Sequence, residues 1–165
     1  MRKTIRLPGF DYSTQGVYFI TVCSHDRKNI FSRIVQGDVY EPAQVILSPL
    51  GQLILQNLRI IPQIYTSVSV LNACIMPNHI HVLFSVTEAD GAGKGRSKML
   101  IAKVVQSFKA SVTRKASPRY ASVWQPRYHD HVVRDEHDLL RIWKSIDSNP
   151  AKWMEDRYYT AIEDR

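Results

Sequence analysis

The chain has 165 residues, 44% of them hydrophobic, and a net charge of +7. That length and apolar content suit one globular domain with a proper core and exclude a disordered chain. The positive balance favours an acidic partner, with nucleic acid first among them.

No apolar run approaches the roughly 20 residues of a membrane helix. The N-terminal "MRKTIRLPGF" is basic but lacks an apolar signal segment. A cytoplasmic protein without a membrane partner is expected. Cys23 and Cys74 both lie in apolar stretches, as buried reduced thiols do.

Residues 16–31, "GVYFITVCSHDRKNIF", open with a strand, because Tyr18, Ile20 and Val22 alternate with Phe19, Thr21 and Cys23. Residues 39–48 read as a short strand pair or an edge, interrupted by Pro42. The spacing of Leu50, Leu53, Ile54, Asn57, Leu58 and Ile61 predicts a helix over 48–64. Ser48 is its N-cap and Pro49 its first helical residue. Strands at 67–76 and 79–86 follow, joined by Pro77-Asn78, a dipeptide suited to a tight hairpin.

The loop 87–98 holds three of the seven glycines. A second helix spans 97–117, with Leu100, Val104, Ser107, Phe108 and Ser111 near one face. A strand at about 128–134 precedes a third helix at 135–149. Asp135 is its N-cap candidate and Leu139, Ile142, Trp143 and Ile146 form its apolar face. Pro150 ends it, since the residue before a proline disfavours helical backbone. Residues 1–15 and 151–165 read as tails of a single domain. The order strand, helix, strand pair, helix, strand, helix predicts an α+β, ferredoxin-like antiparallel sheet with helices packed on one side.

Within "MPNHIHVLFSV" (76–86), His79 and His81 are one residue apart in an apolar strand. Residues i and i+2 of a strand share a face, so two imidazoles aim at one point. Two strand histidines can be satisfied by backbone groups, but the pairing in an apolar run favours a metal or catalytic site. An oxygen as third ligand would point to Mg²⁺ or Mn²⁺, and a thiolate to Zn²⁺, with Cys74 on the neighbouring strand. His129 and His131 in "RYHDH" also share a face and read as phosphate contacts or hydrogen-bonded structural groups.

Five stretches, "YFITVCSHDRKNIF", "ACIMPNHIHVLFSV", "SFKASVTRKA", "WQPRYHDHVVRDEHDLLRIW" and "SIDSNPAKW", occur in this order. From about Tyr18 to about Trp153 the chain resembles the REP-associated tyrosine transposases, relatives of the single-tyrosine HUH transposases of small insertion sequences. REP denotes repetitive extragenic palindromic DNA. His79-Ile80-His81 matches the HUH triplet of histidine, hydrophobic residue, histidine.

The resemblance implies a ferredoxin-like fold with the histidines on a central strand. It implies a helix bearing a nucleophilic tyrosine and, four residues on, a polar metal ligand. It further implies Mg²⁺ or Mn²⁺, and a single-stranded DNA partner carrying a REP-like hairpin. The implied reaction is strand cleavage and rejoining through a 5′-phosphotyrosine.

By that resemblance Asn149 takes the ligand position, while Ser145 stands where the tyrosine belongs. A serine oxygen sits near the helix and is less acidic than a phenol, so little or no cleavage is expected. A protein that still binds DNA is the leading expectation. Attack by Tyr128, Tyr158 or Tyr159, or by Ser145 or a metal-bound water, are alternatives. A catalytically silent binder of palindromic DNA is the rival from another class.

Contacts to DNA are expected from Lys98, Lys103, Lys109, Arg114 and Lys115 on the second helix and from Arg2, Lys3 and Arg6 at the N-terminus. Arg127, Tyr128, His129, His131 and Arg134 around the HDH segment join them. Monomer and homodimer both remain open.

Overall fold

The computed structural model describes residues 16–87 and 94–161, with the side chains of 94–96 left aside. Arg2, Lys3 and Arg6 therefore lie outside the described residues.

The elements in chain order are β1 (Val17–Cys23), a 3₁₀ turn (His25–Arg27), β2 (Ser32–Val35), β3 (Gln44–Leu47), α1 (Pro49–Ile64), β4 (Val68–Ile75) and β5 (His79–Val86). Then come α2 (Lys94–Ala116), β6 (His129–Val132), α3 (Glu136–Ser148) and a 3₁₀ turn (Trp153–Glu155). The main sheet has the order β4-β5-β1-β6, every pair antiparallel. This is the ferredoxin-like arrangement, with β1 and β5 central. The extra pair β2–β3 forms a separate two-stranded ribbon, so the strand pair expected within 39–48 begins earlier, at Ser32.

Local chemistry accounts for the helix ends. Ser48 Oγ accepts from the Gly51 amide at 3.0 Å, capping α1. Asp135 Oδ1 accepts from the Asp138 amide at 2.8 Å, capping α3. At Gly51 a Cβ would collide with the Phe31 carbonyl oxygen, so only glycine lets α1 start this close to the chain entering β2.

α1 and α2 cover one face of the sheet. Leu50, Ile54, Leu58 and Ile61 of α1 pack with Ile101, Val104, Val105, Phe108 and Val112 of α2 over Ile20, Val22, Ile80, Val82 and Phe84. The buried stripe of α2 thus runs through Ile101, Val105 and Val112, one step round from the expected Ser107 and Ser111.

α3 lies on the other face. Leu139, Ile142 and Ile146 pack on Val17 and Leu83, with Phe19, Leu71, Cys74 and Trp143 beside them. The helices are therefore not all on one side. An amphipathic stripe shows which residues a helix buries, not which face of the sheet receives them. Among the described residues no helix is long and apolar enough to cross a membrane.

Candidate functional site

Strand alternation places the two histidines. Ile80, Val82 and Phe84 of β5 enter the core under α1 and α2, so His79 and His81 point to the face shared with α3. His79 is 0% exposed. The two Nε2 atoms lie 3.1 Å apart. Two bare lone pairs at that distance repel, so the pair needs a shared proton or a cation between them.

The outer ring nitrogens are held. Asn78 Nδ2 donates to the Tyr158 carbonyl at 2.7 Å, which orients the amide. Its Oδ1 then accepts from His79 Nδ1–H at 2.9 Å, leaving His79 Nε2 as a lone pair. His81 Nδ1 meets Thr21 Oγ1 at 2.8 Å, and a hydroxyl can donate or accept there. Both states of the histidine pair are thus permitted.

Burial pushes the His79 imidazole well below its ordinary value, partly opposed by the Asp156 carboxylate. Burial, and then the proximity of His79, push His81 down to about 3. Both rings are neutral at pH 7, as metal ligands must be.

The third group comes from the segment after α3. Residues 151–161, read from the sequence as a tail, fold back over the histidines. Trp153 and Tyr158 are buried, and the Tyr158 ring centroid lies 4.6 Å from that of His79 and 6.5 Å from that of His81. Asp156 Oδ2 is 3.7 Å from His79 Nε2. His79, His81 and Asp156 have ligand atoms within 4.8 Å of one another, a group that could hold a metal ion.

Asn149 Nδ2 donates to Asp156 Oδ2 at 2.6 Å, and Tyr158 N donates to Oδ1 at 2.7 Å. Asn149 Oδ1 is buried without a hydrogen bond, although its proximity favours a protonated His79. A buried carbonyl oxygen without a hydrogen bond, beside two imidazoles and a carboxylate, suits a cation site. The residues present fit a divalent cation.

Cys74 stands opposite His81 in the β4–β5 register. Its thiol donates to Met76 Sδ, and burial raises its pKa to about 12. It lies outside the ligand group, and the donors are nitrogen and oxygen.

The site opens into a cleft of about 470 Å³, lined by Phe19, Thr21, His81, His129, Asp130, His131, Ser145, Asn149, Lys152, Glu155, Asp156, Arg157 and Tyr158. Of the sequence candidates, His81, His129, His131, Ser145 and Asn149 meet here. His131 Nε2 is also paired with Asp138 Oδ2 at 2.8 Å, which ties β6 to α3.

Tyr128 packs against the core under α1 and α2, away from the histidines. Lys109 Nζ donates to the Gln125 carbonyl at 2.7 Å and Lys115 Nζ to Asn57 Oδ1 at 3.0 Å, so both ammoniums hold the fold together. Lys98, Lys103, Arg114, Arg127 and Arg134 are exposed. Lys98 lies 3.9 Å from Asp130.

Asp156 was missed from the sequence; nothing local marks it, since it sits in an irregular segment. Arg157, whose guanidinium lies 4.7 Å over the Tyr158 ring and donates to its hydroxyl at 2.7 Å, was missed for the same reason.

A four-stranded antiparallel sheet in this order, with paired histidines on a central strand, is the HUH transposase type of fold. It is shared with a solved structure of a REP-associated tyrosine transposase bound to a REP hairpin, at a TM-score of 0.53 and 17% identity, covering 90% of this chain and 74% of that one. An uncharacterised protein of Haemophilus influenzae is 32% identical over 96% of this chain and 93% of its own length. A second H. influenzae protein, named for the REP-associated tyrosine transposases, is 29% identical over 48% of this chain and 47% of its own. No protein-family model matches the chain. The chain thus shares the fold of a REP-associated tyrosine transposase, and about half of its length is similar in sequence to a protein named for that family.

Proposed function

We propose that the protein binds single-stranded DNA beside a REP-like palindromic hairpin, in the His79–His81 cleft, with Mg²⁺ or Mn²⁺ as cofactor. The observation that carries this reading is the convergence of two neutral imidazoles, the Asp156 carboxylate and the unpaired Asn149 Oδ1 on one point. His79, His81 and Asp156 would hold the ion, with Asn149 as a further oxygen donor. When bound, such an ion polarises a phosphate oxygen and stabilises charge developing on it.

The family reaction is strand cleavage and rejoining through a tyrosine–phosphate link. For that step this chain presents Ser145, which lines the cleft but carries its oxygen one carbon from the backbone of α3. In-line attack tolerates misplacement of only about an ångström. The chain is thus a cleavage-deficient member that keeps its DNA-binding and metal-holding residues.

One observation favours a second reading, cleavage by Tyr158. It is the tyrosine stacked beside the histidine pair, whereas Tyr128 faces away. Its Oη would bond to phosphorus as the P–O3′ bond breaks, leaving a 5′-phosphotyrosine and a 3′-hydroxyl. Tyr158 is only 5% exposed, so residues 151–161 would have to lift first.

A labelled hairpin oligonucleotide with a single-stranded flank, incubated with Mn²⁺ and run on a denaturing protein gel, tests both. The unaltered chain is expected to shift the DNA in a native gel yet form no covalent band, and Ser145→Tyr to form one. A band from the unaltered chain that disappears in Tyr158→Phe would establish the second reading. Absence of any DNA shift would sink both.

A further inference from the structure

Beside the metal cleft lies a second opening of about 340 Å³, lined by Arg141, Lys144, Ser145, Ser148, Asn149 and Lys152. Ser145, Asn149 and Lys152 line the metal cleft too, so the two openings adjoin. Three of the six lining residues are cations and none is an acid. Arg141, Ser145 and Ser148 recur at helical spacing along one exposed face of α3, about 10 Å over two turns.

The fold does not need the two lysines. Lys144 and Lys152 are exposed, and neither side chain has a hydrogen-bond or ion-pair partner among the described residues. Arg141 shares Asp138 with His131, through a different carboxylate oxygen. Lys109 and Lys115 of α2 differ, because both bind groups of the fold itself.

We propose that this basic groove holds the phosphodiester backbone of a single DNA strand on one side of the phosphate seated at the histidine pair. The strand runs along α3 from Arg141, over Ser145, into the metal cleft. This inference rests on the DNA-binding reading above and assigns its path. The cations supply charge, and the Ser145 and Ser148 hydroxyls supply neutral contacts to phosphate oxygens. Ser145 is the threshold between the two openings. A small side chain there leaves the passage clear, which suits a protein that holds a strand without cutting it.

The test is fluorescence anisotropy with a fluorescein-labelled DNA hairpin carrying a single-stranded dT tail, in Mn²⁺, over a range of salt concentrations. Each single-strand phosphate contact adds about 0.7 to the slope of log affinity against log salt. Lys144→Gln/Lys152→Gln is expected to lower the slope by about 1.4 and to weaken binding roughly tenfold or more at physiological salt. Both side chains are exposed, so an unchanged melting temperature and an unchanged Mn²⁺-induced rise in it would show that fold and metal site survive.

An unchanged slope in this variant, with the unaltered chain still binding, would overturn the groove and leave the cleft reading standing. The same loss in Lys98→Gln/Lys103→Gln, and not in Lys144→Gln/Lys152→Gln, would overturn it in favour of α2. Failure of the unaltered chain to bind the hairpin at all would remove the cleft reading and the groove together.

Discussion

The two faces of the sheet do different jobs, and β5 serves both. On the face under α1 and α2, Ile80, Val82, Phe84 and Val86 meet a continuous apolar layer. On the face under α3, Leu83 belongs to a small apolar cluster, but two residues earlier His81 opens onto a polar cleft. The apolar cover on that side ends where α3 ends, and residues 151–161 take over with Trp153, Asp156 and Tyr158. The alternation of one strand therefore separates stability from chemistry. A slip of one residue in the β1–β5 register would exchange the two faces and lose both.

The sharpest way to break that division is a cavity on the core face. Phe84 is 2% exposed, within the core layer under α1 and α2. Phe84→Ala is expected to cost about 3–5 kcal/mol, read as a lower urea midpoint at unchanged slope. Metal binding by the fraction that stays folded should be unaltered, because Leu83 and His81 face the other way.

The second effect belongs to the α3 face. Mn²⁺ at about 100 times its dissociation constant should stabilise the protein by about 2.7 kcal/mol, through binding to the folded state alone. A chelator should reverse the rise in melting temperature, and His81→Ala should abolish it. A rise that persists in His81→Ala would place the ion elsewhere.

The histidines also set a pH dependence without metal. In the unfolded chain an imidazole takes up a proton below about pH 6.5. In the folded chain burial delays this, to about 3 for His81 and in the same direction for His79. Between those values the unfolded state binds more protons, so stability falls as pH drops from 6.5 towards 3. Urea midpoints measured in chelator from pH 7 down to pH 4 should decline. In His81→Leu the decline should be shallower.

The same comparison explains what was legible in the sequence. Period-two and period-3.6 patterns located β1, β4, β5 and all three helices, since alternation and helical stripes are local properties. The His79–His81 pair was legible for the same reason. The side of the sheet that α3 occupies was not, because packing partners are a long-range property.

Asp156 reaches His79 only through a chain reversal after Asn149, secured by Asn78 and by Asn29 Nδ2 donating to the Thr160 carbonyl at 3.1 Å. No spacing rule announces such a fold-back. A lysine, likewise, looks the same in sequence whether solvated or bound to a carbonyl. For Lys115 the clue was Asn57, a polar residue on the buried stripe of α1, which turns out to bind Lys115 and Ser111.

The smallest expected effect lies where the two faces meet at the sheet edge. Asp138 Oδ2 accepts from His131 on β6 and from the Arg134 amide at 3.1 Å, while Oδ1 accepts from Arg141. Partial burial raises its pKa, but these hydrogen bonds outweigh it and bring the group down to about 2. A depressed carboxyl contributes stability above its ordinary value of about 3.9 and loses that contribution as pH falls towards 2.

Because the His131 side chain is 38% exposed, solvent screens the pair. Asp138→Asn should therefore cost no more than about 1 kcal/mol in global unfolding. Its local effect should be larger in proportion. β6 pairs with β1 over only four residues, Tyr18 to Thr21, and among the described residues has no strand on its other side. Amide exchange in His129–Val132 should quicken in Asp138→Asn while that of β1 and β5 stays slow. Equal acceleration in β5 would mean that the α3 face is one cooperative unit with the core, and that the division between the two faces is weaker than their packing implies.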